Sequence, residues 1–182
     1  AKNPNEYIND EQRRRALDFF SSLWKEHGRT LELRKPRKKK FDDVADRLRS
    51  VCLDFGDYQK RREELLLKGK KWFEKRAEKW AKFRVIPEAD FGTTRVVYPE
   101  GKEYSFGNTK LKFVGPLFHG IEYSRVGWIF LTRIEHEGEV FVHSSDVSGP
   151  IIEDYADLIV ELDPTYLVLD GPPTYMFGYM LN

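Results

Sequence analysis

The sequence predicts a mixed α/β (α+β) fold. Three observations lead there: apolar residues recur at helical spacing through the first half, alternate at strand spacing through the second, and a short helical stripe sits between the last two strand-like runs. In the first half, Ala16, Phe20, Leu23, Trp24 and His27 share one helical face, so residues 10–27 read as an amphipathic helix stopped by Gly28. Asn9 with Gln12 resembles a capping box. Residues 34–40 carry Pro36 amid a run of like charge and read as a solvated loop. Phe41, Val44, Leu48, Val51, Cys52 and Phe55 form a second helical stripe, interrupted at Gly56, on which Cys52 is expected to pack as a small core hydrophobe. A long helix follows over residues 57–84. Leu65, Leu66, Trp72, Phe73, Ala77, Trp80 and Phe83 mark its apolar positions, and Gly69 is a local weakness of about 1 kcal/mol.

The pattern changes near Pro87. Residues 95–98 are a short β-prone run. Residues 104–106 and 110–114 alternate around Gly107-Asn108, a hairpin signature. Residues 128–134 read as a further strand, and residues 140–143 pair back to it across a turn holding His136. Residues 150–162 form a short helix with Ile151, Ile152, Tyr155, Ala156 and Ile159 inward. Residues 166–169, Tyr-Leu-Val-Leu, are continuously apolar and read as a final buried strand. Two regions result: a basic helical one over 1–90 and a β-rich one over 91–182.

Composition narrows the function classes. The chain has 182 residues, enough for one domain or a domain with an extension, and 34% of them are charged. Abundant Lys and Glu with little Cys or Met lean towards a heat-adapted protein. One cysteine excludes an intrachain disulfide and suits a reducing, cytoplasmic setting. No apolar run reaches the roughly 20 residues of a membrane span. The net charge of +1 divides into +8 for residues 1–90 (25 basic, 17 acidic) and −7 for residues 91–182 (6 basic, 13 acidic). That asymmetry suits long exposed helices or a basic face for an anionic partner.

The chemistry concentrates on two loops. Phe118-His119-Gly120 and the run from His143 to Gly149 each follow an apolar strand-like stretch and set a metal-capable side chain among small residues. His119 supplies an imidazole; Asp146, three residues after His143, supplies a carboxylate able to bind one metal ion or bridge two. Each also has a plainer reading, as a turn cap or a hydrogen-bonded loop residue. His27 is expected to pack on its helix and His136 to be solvated.

Further motifs join these: Ser124-Arg125-Val126-Gly127, Asp170-Gly171-Pro172-Pro173-Thr174-Tyr175, Lys2-Asn3-Pro4-Asn5 and Gln12-Arg13-Arg14. With them the chain resembles a metallo-β-lactamase-fold hydrolase, and more narrowly an uncharacterised, largely archaeal family of that superfamily. The resemblance implies part of an αββα sandwich. It makes His119 the third metal-binding motif and Asp146 the fourth, with His143, Ser145 and Tyr175 as supporting residues. It also implies a zinc-dependent, dinuclear hydrolase acting on a phosphoester, ester or amide. An earlier His-x-His-x-Asp-His cluster and a later His, which that pattern requires, are absent from the sequence. The expectation is therefore the central part of a longer protein, inactive by itself. The competing expectation is a nucleic-acid-binding module, or an RNA-directed metallohydrolase, that uses Arg34, Lys35, Arg37, Lys38, Lys39 and Lys40. A third is a helical half that serves as a homo-oligomer interface.

Overall fold

The computed structural model describes residues 10–36, 44–100, 102–124 and 127–172. It is a mixed α+β chain with three α-helices and two sheets among those residues. It divides into two compact units interleaved in sequence: residues 1–41 with 71–98, and residues 42–70 with 99–182. Helix α1 covers Asp10–Glu26, and α2 covers Gln59–Trp80, contributing its first part to the second unit and its last part to the first. The capping residue expected at Asn9 lies outside the described residues.

In the first unit, α1 buries Trp24, whose ring meets Phe91 edge-on at 5.0 Å. His27, just past the helix, stacks on the same Phe91 at 4.4 Å, so it packs as the sequence suggests. Arg29 lies over that ring and donates to the Asp90 carbonyl. The small antiparallel pair β1 (Ala89–Asp90) and β2 (Arg95–Val96) holds Phe91 in its connecting turn. Phe73, Ala77 and Ile86 complete the buried set of this unit.

The second unit is built on a five-stranded sheet: β3 (Glu103–Phe106), β4 (Thr109–Phe118), β5 (Trp128–His136), β6 (Glu139–His143) and β7 (Tyr166–Val168), in that spatial order. β3 to β6 run antiparallel, with Gly107-Asn108 forming the first turn as the sequence predicts. The β4–β5 register shifts between Val114 and Leu117, where Gly115-Pro116 interrupts the ladder because proline has no N–H to give. β7 joins β6 in parallel, and helix α3 (Glu153–Glu161) makes the crossover that a parallel pair requires. Alternation decides the core. Val140 and Val142 are buried on one face of β6, and α3 buries Tyr155 and Ile159, with Ile152 buried just before it.

Four expectations are corrected. The predicted stripe is not an α-helix over its described residues: Val44–Arg47, Arg49–Cys52 and Gly56–Tyr58 form three short 3-10 turns, and Phe41 lies outside the described residues. Cys52 is exposed rather than packed, since a 3-10 turn does not repeat the α-helical spacing that would face it inward. Leu65 and Ile151 are exposed instead of inward. The 166–169 run is not buried, because β7 is the edge of the sheet and pairs only with β6 among the described residues.

Gly69 acquires a reason. A Cβ there would sit 3.0 Å from the Tyr123 Cβ, so the missing side chain lets the 121–124 turn approach the helix. In the same unit Arg62 of α2 pairs with Glu122 at 2.8 Å, both largely buried, and also donates to the Ser50 carbonyl.

Candidate functional site

β6 and β7 are parallel, so His143 at the end of one and Asp170 just past the other lie at the same edge of the sheet. Loops beyond the carboxyl ends of parallel strands are where α/β sheets commonly hold ligands. Three of the sequence motifs meet here. The Ser148 N–H donates to Asp170 Oδ2 at 2.7 Å. The Asp170 N–H donates to the Ser144 hydroxyl oxygen at 2.8 Å, and that hydroxyl donates to the Ser145 carbonyl at 2.9 Å. Ser144 is fully buried, and its own N–H reaches the Val168 carbonyl. Gly149 lies so close to Pro172 that a Cβ would fall 2.8 Å from the proline nitrogen. Gly120 packs on Ser148, its ideal Cβ position 3.2 Å from the hydroxyl. The loops around 118–120, 143–149 and 170–172 therefore form one cluster.

The His119 loop is anchored from behind. The buried Tyr155 hydroxyl of α3 accepts the Phe118 N–H at 2.7 Å, and the His119 N–H donates to the Gly127 carbonyl at 3.1 Å. Burial pushes the Tyr155 phenol well above its ordinary range, so it remains a neutral anchor. Phe118 packs against Tyr123 at 5.2 Å. His119 is half-buried and begins the loop whose next residue touches Ser148; Asp146 is exposed, two residues before Ser148.

The 143–149 loop carries backbone strain. Ser145 (φ 54°) and Ser148 (φ 59°) both occupy the left-handed region that non-glycine residues avoid. Such residues cost of order 1 kcal/mol each and persist where neighbouring contacts fix them, often at functional sites. The fixing contacts are visible: Asp170 holds Ser148, and His143 Nδ1 accepts the Ser145 N–H at 3.2 Å. His143 thereby shapes the turn that presents Asp146, and accepting at Nδ1 leaves its proton on Nε2. The sequence reading missed Ser144 and Asp170 as structural pins. Their signal was present, a Ser pair and an Asp immediately after strands, but their partners lie more than 20 residues away in sequence.

Imidazole nitrogen and carboxylate oxygen are donors that zinc and similar ions accept. His119 and Asp146 fit such an ion in kind but are only two of the usual complement. Among the described residues no group of three or more His, Cys, Asp and Glu side chains stands together. Tyr175 lies outside the described residues, as do Arg37, Lys38, Lys39 and Lys40. Arg34 and Lys35 are exposed, and the backbone of Arg34 pairs with Val85. His136 sits at the far end of β5, where Nδ1 meets the Thr109 hydroxyl at 2.8 Å. No described helix is long and apolar enough to cross a membrane.

Comparison with known proteins places the chain beside one group. It is similar to the UPF0282 proteins of archaea. A UPF0282 protein of Methanopyrus kandleri is 43% identical over 85 residues, covering 47% of this chain and 29% of the relative. One from Korarchaeum cryptofilum is 35% identical over 88 residues, covering 48% and 29%. One from Methanocaldococcus jannaschii is 32% identical over 82 residues, covering 45% and 28%. The matched stretch thus spans under a third of each of these UPF0282 relatives. No family model and no solved structure matches the chain. The expected membership of the metallo-β-lactamase superfamily is corrected accordingly: the relatives carry only the UPF0282 name, and nothing among the matches links the chain to that superfamily. Of the expected fold, the structure shows the mixed α+β character, with a five-stranded and a two-stranded sheet among the described residues.

Proposed function

We propose that this chain carries one wall of a metal-dependent hydrolytic centre, in which His119 and Asp146 hold zinc or another divalent transition metal together with ligands from outside the described residues. The observation that supports this reading most is the pinning of the 118–120 and 143–149 loops against each other, with two left-handed serines flanking the Asp146 segment. Rigid presentation of two donors is what a metal centre asks of its scaffold. A bound ion would polarise the scissile bond and lower the pKa of its water towards neutrality. The chain's own residues do the positioning. Tyr155 holds the backbone before His119, Asp170 and Ser144 hold the segment around Asp146, and His143 fixes the turn at Ser145. The substrate class, a phosphoester, ester or amide, depends on what completes the centre.

The test is a titration of the full chain with Co²⁺, read by its visible absorption, since cobalt reports coordination that zinc conceals. Weak binding that disappears in both His119→Ala and Asp146→Ala supports the proposal. Binding unaffected by either substitution refutes it. Hydrolysis itself is tested on the complete Methanopyrus kandleri relative with a chromogenic phosphodiester, with and without chelator.

A further inference from the structure

β7 presents a contradiction between its sequence and its surroundings. A continuous Tyr-Leu-Val-Leu run is the pattern of a strand covered on both faces. In the fold, Tyr166, Leu167, Val168 and Leu169 are 55%, 43%, 49% and 44% exposed, although alternation sends them to opposite faces of the sheet. Among the described residues the strand is also the sheet edge. It carries no edge-protecting device: no lysine, proline or bulge interrupts residues 166–168. The row to which it belongs is apolar across all five strands, with Tyr104, Leu111, Ile134, Phe141 and Tyr166 as successive cross-strand partners, none of them fully buried. Tyr104 and Phe113 extend that cluster, their rings 6.4 Å apart.

We infer that β7 is an interior strand of a wider sheet, and that its open edge pairs with a β-strand from polypeptide of the kind the UPF0282 relatives carry beyond the stretch they share with this chain. The relatives supply the argument for the occupant: the same 85 residues are 47% of this chain but only 29% of the Methanopyrus kandleri relative, which is therefore the longer polypeptide. The exposed side chains supply the argument for a strand flanked by apolar layers, since open backbone groups and apolar side chains on both faces together ask for a sheet neighbour rather than a lone helix. The inference is independent of the metal centre.

Hydrogen exchange tests it on two proteins: this chain in full, at low and high concentration, and the complete Methanopyrus kandleri relative. The β7 amides that face away from β6 should exchange freely in this chain, and those of the corresponding strand should exchange at least ~100-fold more slowly in the relative. Leu167→Lys and Val168→Lys should leave the melting temperature of this chain unchanged, while the same substitutions in the relative lower it. Fast exchange in both proteins overturns the inference. So does protection in this chain at every concentration, which would make residues 173–182 the occupant. Protection that appears only at high concentration overturns it too, in favour of a second copy.

Discussion

Asp154 ties the turn at residues 49–52 to the start of α3, and its loss should be measurable as a pH-dependent change in stability. Its Oδ1 accepts the Arg49 N–H at 2.8 Å and its Oδ2 accepts the Ser50 N–H at 2.9 Å. Burial alone would raise this carboxyl; the hydrogen bonds from Ser50 and Arg49 outweigh it and hold the pKa at about 2, below the ordinary 3.8. A lowered folded-state pKa stabilises the fold above the unfolded value, and that contribution fades as pH falls from about 4 through about 2. The shift corresponds to about 2 kcal/mol. The guanidinium contributes little of it, because the Arg49 side chain is 75% exposed while that of Asp154 is 12% exposed. Asp154→Asn keeps the shape but turns one acceptor into a donor facing a backbone N–H. Urea unfolding followed by circular dichroism should show the variant about 2 kcal/mol less stable at pH 6, the gap closing towards pH 2. A gap that stays constant from pH 6 to pH 2 would refute the carboxylate account and leave only a packing effect.

Other outcomes follow from the same structure. Tyr155→Phe removes the acceptor of the buried Phe118 N–H without removing volume, and should cost about 1–3 kcal/mol in urea unfolding; a change within error would mean the Phe118–Tyr155 contact carries no weight. Gly149→Ala combines a φ of 64° with a Cβ 2.8 Å from the Pro172 nitrogen, so a loss of about 1–3 kcal/mol is expected, together with loss of cobalt absorption; a stable, cobalt-binding variant would show that the loops need not touch. Cys52 is exposed, so one thiol per chain should react with a disulfide reagent in the native protein without denaturant.

What could be read from the sequence was what the local chain decides. The Gly107-Asn108 hairpin, the return of β6 along β5 and the helical faces of α1 and α3 each depend on residues within a few positions of one another. The 44–58 segment was misread because a distant carboxylate intervenes. Leu48 is extended (φ −92°, ψ 120°), and Asp154 then captures the N–H groups of Arg49 and Ser50, so the helical spacing of Val44, Leu48 and Cys52 is never used. β7 was misread for another reason: its composition reports a covering that the described residues do not supply. At the site, residue type and position after strand-like runs make His119 and Asp146 legible only as candidate donors. Ser144 and Asp170 could not be identified as pins, because their hydrogen bonds span 22 and 26 residues and exist only once β6 and β7 lie side by side.

The central claim is that His119 and Asp146 face one ion. Paramagnetic broadening measures this directly: substoichiometric Mn²⁺ is added to the isotopically labelled full chain and the nuclear magnetic resonance signals are followed residue by residue. The account predicts that His119, Gly120, Ser145 and Asp146 broaden together, while the hairpin at Gly107-Asn108 does not. Broadening at only one of the two loops, or spread evenly over acidic surface residues, would contradict it.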